Sequence, residues 1–298
     1  MMPSHAYHPH AAFIAPAVPQ KALWRLILGV VLAFVGYMAG IMLMFGIVQR
    51  LRPDDPYYLD ALAQGATPAH LFLLLASFIF MILPVVAVAR LLHKRGFLSL
   101  LGPMPLAIRQ FMRVFGPLLI LGLVLFALPI LGLGVDLTPN LAPGLWALLL
   151  PLSLVLVLIQ VSAEEIAFRG YLQQQLAARF RSPFVWMVLP SVLFAFGHYL
   201  PEEAGENAWI IALWSGVFGM LMADITARSG SLGPAIALHF YNNITAMLIV
   251  SMPDSLSGLA LFHGPFGIGD VEQVRAWLPV DFVHMFVAWL VARVVLKR

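Results

Sequence analysis

The segment Val161-Ser162-Ala163-Glu164-Glu165-Ile166-Ala167-Phe168-Arg169-Gly170 sets two carboxylates and a guanidinium inside an otherwise apolar run. Each ionised group near the centre of a membrane-spanning helix costs about 2.5–3.5 kcal/mol on insertion scales, so such groups mark function or a tight pairing. Glu165 and Arg169 stand four residues apart with the acid first, the favourable order for a helical ion pair. Glu164 is turned by about 100° from Glu165, so that pairing leaves it unaccounted for. Two readings stay open on these residues alone. Either the three charges are a polar knot that packs helices, or Glu164 is a working carboxylate, a general base or a proton carrier.

Two histidines bear on the choice. One apolar run ends Phe194-Ala195-Phe196-Gly197-His198, and a later one contains His239-Phe240-Tyr241-Asn242-Asn243. His239 and Asn243 are four apart and share one helix face. A lone imidazole in an apolar helix is commonly a satisfied core residue. Two of them, with an amide and an unpaired acid on three different helices, point to chemistry. Glu164 precedes Arg179 by fifteen residues and His198 follows Pro183 by fifteen. At 1.5 Å per residue both lie about 22 Å from the short turn between them. His239 is only about 10 Å into its own helix by the same measure, so it meets them only if that helix starts deeper or tilts.

The elements that must position these residues are membrane helices. The chain of 298 residues is 61% hydrophobic and 10% charged, without a single Cys, and its mean hydropathy is +0.92. A soluble domain carries about a quarter charged residues. The net charge of +3 is too small and too scattered for a nucleic-acid surface. Without Cys, disulfides, thiolate nucleophiles and Cys-ligated zinc are excluded. Runs of about 20 apolar residues fall near 23–48, 69–92, 111–133, 145–178, 184–199, 208–227, 232–251 and 280–296. The fold class is therefore all-α, a polytopic membrane protein of about eight transmembrane helices, with a buried polar site among helices 4, 5 and 7. Thirteen of the seventeen Lys and Arg fall on one side of this arrangement, and the opposite loops hold eleven of the fourteen acids. Both termini are expected to be cytoplasmic. Residues 1–20, polar and rich in Pro and His, read as a disordered cytoplasmic tail. Residues 21–298 read as one transmembrane domain with its motif core at 145–251.

Glu164-Glu165-x-x-x-Arg169, Phe194-x-x-x-His198 and His239-x-x-x-Asn243, in this order, resemble the motifs of the CPBP family of CAAX proteases and bacteriocin-processing enzymes. Its eukaryotic members are the type II CAAX prenyl endopeptidases. The motifs cover residues 164–243, and the eight-helix count is similar to that family's. The resemblance implies an intramembrane endopeptidase of the glutamate type, cutting a hydrophobic or prenylated peptide. Glu164 and His198 would then activate a water, and His239 and Asn243 would bind the oxyanion. Glu165 and Arg169 would hold the electrostatics, with Phe194 packed under His198.

A metal-free site is favoured, because HExxH is absent and Asn is a poor zinc ligand. The alternative is a zinc ion on Glu164, His198 and His239, which would leave one position open for water. Membrane lipid and a peptide or lipidated protein are the expected partners, and nucleic acid is not. The rival functions are a proton-coupled transporter using Glu164, Glu165 and the two His as a relay, and a non-catalytic scaffold of the same fold. Gly267-Ile268-Gly269-Asp270 matches the GxGD of intramembrane aspartyl proteases but falls in the loop 252–279, where it reads as a turn. That loop is apolar enough to cap the bundle.

Overall fold

The computed structural model describes residues 5–55, 57–127 and 136–298. Among them helices dominate, and six are long and apolar enough to cross a membrane. These six are α2 (Leu23–Leu51), α4 (Pro68–Leu91), α5 (Met104–Ala127), α6 (Pro143–Arg179), α8 (Pro201–Ser229) and α10 (Val271–Leu296). Two shorter helices, α7 (Phe184–Gly197) and α9 (Gly233–Ile244), complete the bundle. Small helices α1 (His8–Ile14) and α3 (Tyr58–Gln64) flank α2. The molecule is an all-α polytopic membrane protein. The eight spans expected from hydropathy correspond to α2 and α4 through α10, two of them shorter than a full crossing. Residues 128–133 of the third lie outside the described residues.

Apolar composition and burial part company here, as they must in lipid. Leu32, Met42, Leu148 and Val294 are exposed on their helices and do not line the central cavity. The buried interior holds clusters of apolar side chains together with the polar groups, since only the inside of the bundle offers hydrogen-bond partners. α9 is the centre of the arrangement. It packs against α5, α6 and α8, while α7 packs on α8 and α2 on α4.

Two local features place the site. Directly after Glu165, α6 widens into a π-helical stretch over Ile166–Gln173, which carries Arg169. Such bulges recur at functional sites because they re-aim the side chains around them. The second feature is the turn that enters α9. Gly230 takes a left-handed φ of 74° at the end of α8, a conformation that suits glycine. A Cβ there would stand 2.9 Å from the Pro9 carbonyl, and one at Gly233 would collide with the Ala107 backbone. Ser229, Ser231 and Leu232 are buried, and Leu232 N–H donates to Leu101 O at 3.0 Å. Gln110 closes this turn, donating to Ser229 O and accepting from Ser231 Oγ. The helix carrying His239 therefore begins inside the protein, not at its surface. That deep start lets His239 reach the level of Glu164 although it is only about 10 Å into its own helix.

Two expectations need correction. The disordered tail does not hold for residues 5–20. His8–Ile14 is helical, Phe13 and Ala17 are buried, and Tyr7 O–H donates to Asp224 Oδ1 at 2.7 Å. The segment has no long apolar run of its own. A groove formed by α6, α7 and α8 supplies its burial, with His10 near Gln173 and tilted against Trp186. The last span also starts earlier than expected, at Val271 and not near 280, capped by Asp270 accepting from Gln273 N–H. Asp281, counted with the loop acids, therefore lies within α10. The loop before it folds over one end of the bundle. There β1 (Thr138–Pro139), β2 (Val250–Ser251) and β3 (Phe262–His263) make a small sheet in the order β1-β3-β2.

Candidate active site

The structure brings Glu164, His198, His239 and Asn243 to the wall of one open cavity of about 1840 Å³. The rest of that wall is overwhelmingly apolar, with Phe34 and Tyr37 from α2 and Phe194 from α7 among its residues. Glu164, Glu165, Arg169, His239 and Asn243 are all buried, Glu165 completely. His198 is half-buried at the end of α7.

Glu165 is the hub. Its Oε1 accepts from Arg169 Nη1 at 3.0 Å and from His239 Nδ1 at 2.8 Å. Arg169 Nη2 donates to Gly219 O at 3.1 Å, tying α6 to α8. The same guanidinium lies 4.8 Å over the Phe194 ring. Glu164 faces the other side of the imidazole, with Oε2 at 3.3 Å from His239 Nε2. That contact is close enough for ionic attraction but too bent for a hydrogen bond, so Oε2 has no hydrogen-bond partner among the described residues. A buried acceptor left open in this way is unusual and invites an explanation.

His198 approaches from α7. Its Nδ1 donates to Phe194 O at 2.8 Å, which leaves Nε2 as the acceptor. The Phe194 ring lies 4.4 Å from the His198 ring and 6.2 Å from that of His239. No ion pair joins His198 to Glu164 among the described residues. The two face a shared space instead.

Asn243 reveals a participant that the motifs did not include. Its Nδ2 donates to Gln160 Oε1 at 2.7 Å, and its Oδ1 accepts from Asn242 Nδ2 at 3.0 Å. Gln160 is buried, lines the cavity and precedes Glu164 by one helical turn. A polar amide four residues before the acid, in an apolar run, was the available signal.

A zinc ion needs three protein ligands converging on one point. Among the described residues no three acids or imidazoles are grouped to hold a metal. His239 turns both nitrogens to carboxylates, and His198 stands apart. The alternative zinc set of Glu164, His198 and His239 therefore does not fit as placed.

The competing motif is structural. Ile268 N–H donates to Asp254, and Asp270 caps α10, so the GxGD residues build a turn.

A family model falls on the segment that carries these residues. No solved structure matches the chain. The uncharacterized protein YyaK of Bacillus subtilis (strain 168) is 24% identical over 260 residues, covering 83% of this chain and 84% of YyaK. The family model described as Type II CAAX prenyl endopeptidase Rce1-like matches residues 144–245, from the start of α6 to just beyond Asn243. Over that stretch the chain is similar to the Rce1-like model, in keeping with its CPBP-type motifs.

Proposed function

We propose that this protein is an intramembrane endopeptidase that hydrolyses a peptide bond of a hydrophobic or prenylated substrate with a water activated by Glu164 and His198. The carrying observation is the unpartnered Glu164 Oε2 on a cavity wall shared with His198, His239 and Asn243. The apolar remainder of that wall suits a greasy or lipid-bearing chain, and the Rce1-like match supports a protease.

Each residue has a distinct part in the reaction. Glu164 takes a proton from a water that His198 Nε2 orients, and the hydroxide adds to the carbonyl carbon. The resulting oxyanion meets the free N–H of Asn243, which Gln160 and Asn242 hold in place. Preorganised donors of this kind are worth most in a dry site. His239 is fixed through Nδ1 by Glu165, as an acid orients a catalytic imidazole elsewhere. When its Nε2 carries a proton it donates to the oxyanion, while Glu164 holds the proton taken from the water. The proton then passes to the leaving amine as the C–N bond breaks, giving a carboxylic acid and a free amine. Arg169 balances Glu165 throughout. The distribution of basic residues supports an orientation with both termini, and so the α1 end, in the cytoplasm.

The test is Glu164→Gln in purified protein given hydrophobic and prenylated reporter peptides. Cleavage should fall by about 10²–10⁴-fold, the usual worth of a general base, with the thermal transition retained. Turnover at the wild-type rate would overturn the assignment.

A further inference from the structure

The cavity has a second polar pole, across α9 from Glu164. α10 presents Asp281 and His284 to the cavity on the face that also carries Trp277. His284 Nε2 bonds the Tyr241 hydroxyl at 2.9 Å. Tyr241 is itself held tightly, since a Cβ on Gly122 would meet its ring at 3.0 Å.

Asp281 differs from the other carboxylates of the bundle. Asp224 is paired with Arg228, Glu165 with Arg169, and Asp254 in the loop accepts from Ile268 N–H. Asp281 makes no ion pair among the described residues. It is nevertheless the eleventh residue of a helix that crosses the membrane, and it is exposed along the cavity. An unpaired carboxylate at such a place calls for a partner from outside the chain.

We propose that Asp281, with His284 and Tyr241 beside it, binds a cationic group of the peptide substrate, the ammonium of a Lys or the guanidinium of an Arg side chain. This rests on the peptidase reading for the identity of the bound chain, and it adds a charge preference to that reading. The two poles belong to one cavity because Tyr241, Asn242 and Asn243 all line it, so the space wraps round α9. Asn242 sits between them and bonds Asn243. A helix is about 10 Å across, so the path round it from one side to the other is about 16 Å. An extended peptide covers that in about five residues, at about 3.3 Å each. The preferred basic side chain therefore lies about five positions from the scissile bond.

The experiment compares two reporter peptides that differ only in Lys or norleucine at that position. Binding is read by fluorescence anisotropy on full-length Glu164→Gln protein, which holds peptide without turning it over. Cleavage of both peptides is measured in parallel with the active chain. The Lys peptide should bind about tenfold more tightly than the norleucine peptide, a ratio expected of one charge pair. Adding Asp281→Asn should bring that ratio close to one, and Asp281→Lys should turn the preference towards a Glu peptide. A ratio that is the same with Asp281 and with Asn would overturn the proposal. So would a ratio of one accompanied by Asp281-dependent retention of phosphatidylethanolamine, which would give the pole to a lipid amine. If the ratio responds to Asp281 while the active chain cleaves neither peptide, the cation site stands and the peptidase reading falls. If cleavage proceeds with no charge preference, the reverse holds.

Discussion

Two acid–arginine pairs, both four residues apart on a helix, occupy this bundle and behave differently. Asp224 and Arg228 sit at the α1 end. There Arg228 Nε reaches both Asp224 oxygens, Tyr7 O–H donates to one at 2.7 Å and Trp289 Nε1 to the other at 3.2 Å. That carboxylate is saturated and does not line the cavity. Glu165 and Arg169 sit in the interior, share His239 with Glu164, and leave Oε2 of both glutamates without a hydrogen bond among the described residues. A saturated pair fastens helices together. A pair with acceptors in reserve beside a cavity has capacity to handle a proton.

The contrast breaks first at the arginines. Arg169→Ala strands Glu165 and Glu164 without their cation in a buried site, and removing one partner of a buried pair costs about 3–5 kcal/mol. Both thermal stability and cleavage should collapse. Arg228→Ala should cost less, because Tyr7 and Trp289 still donate to Asp224 after the arginine is gone. Cleavage should persist. Equal losses of stability in the two variants, read by thermal unfolding, would erase the distinction.

A smaller effect sharpens the interior member. Asn243→Ala removes a donor aimed into the cavity and should lower kcat by about 10²-fold with little change in KM. Gln160→Ala leaves that donor present but loose and should lower kcat by about tenfold. Gln160→Glu should restore part of the loss, since a carboxylate still accepts from Asn243. A change confined to KM in these variants would move both residues to substrate contact.

The smallest effect concerns the α1 end. Burial against Trp186 pushes the His10 imidazole down from 6.5 to about 4. The folded state thus favours the neutral ring. Its contribution is complete above pH 6.5 and is lost as the pH falls towards 4. Between pH 7 and 5 the docked segment should lose about 2 kcal/mol. Hydrogen exchange across residues 5–20 should quicken over that range, and His10→Gln should flatten the response. An exchange rate indifferent to pH after correction for intrinsic chemistry would contradict the docking.

Much of this was legible in the amino-acid order. Glu164, Glu165 and Arg169 stand out because charge inside an apolar run has few explanations, and helical spacing alone separates the paired acid from the free one. The level of His239 was not legible. It depends on Gly230 and Gly233 lying against Pro9 and Ala107, contacts between residues more than a hundred positions apart. Residues 5–20 were misread for a related reason. Their burial comes from a groove that other helices make, and no local pattern in His8–Ile14 announces it. Asp281 looked like a loop acid because Pro279 and the charged stretch from Asp270 to Arg275 obscure the start of α10.

The buried turn at 229–232 also sets an order of events during biogenesis. Its roof is residue Pro9, made more than two hundred residues earlier, and its floor is the α5 backbone at Ala107. A ribosome that has released α6 and α7 has delivered Glu164 and His198, yet neither His239 nor Asn243 has been synthesised. The grouping of all four side chains therefore waits for the α8–α9 hairpin.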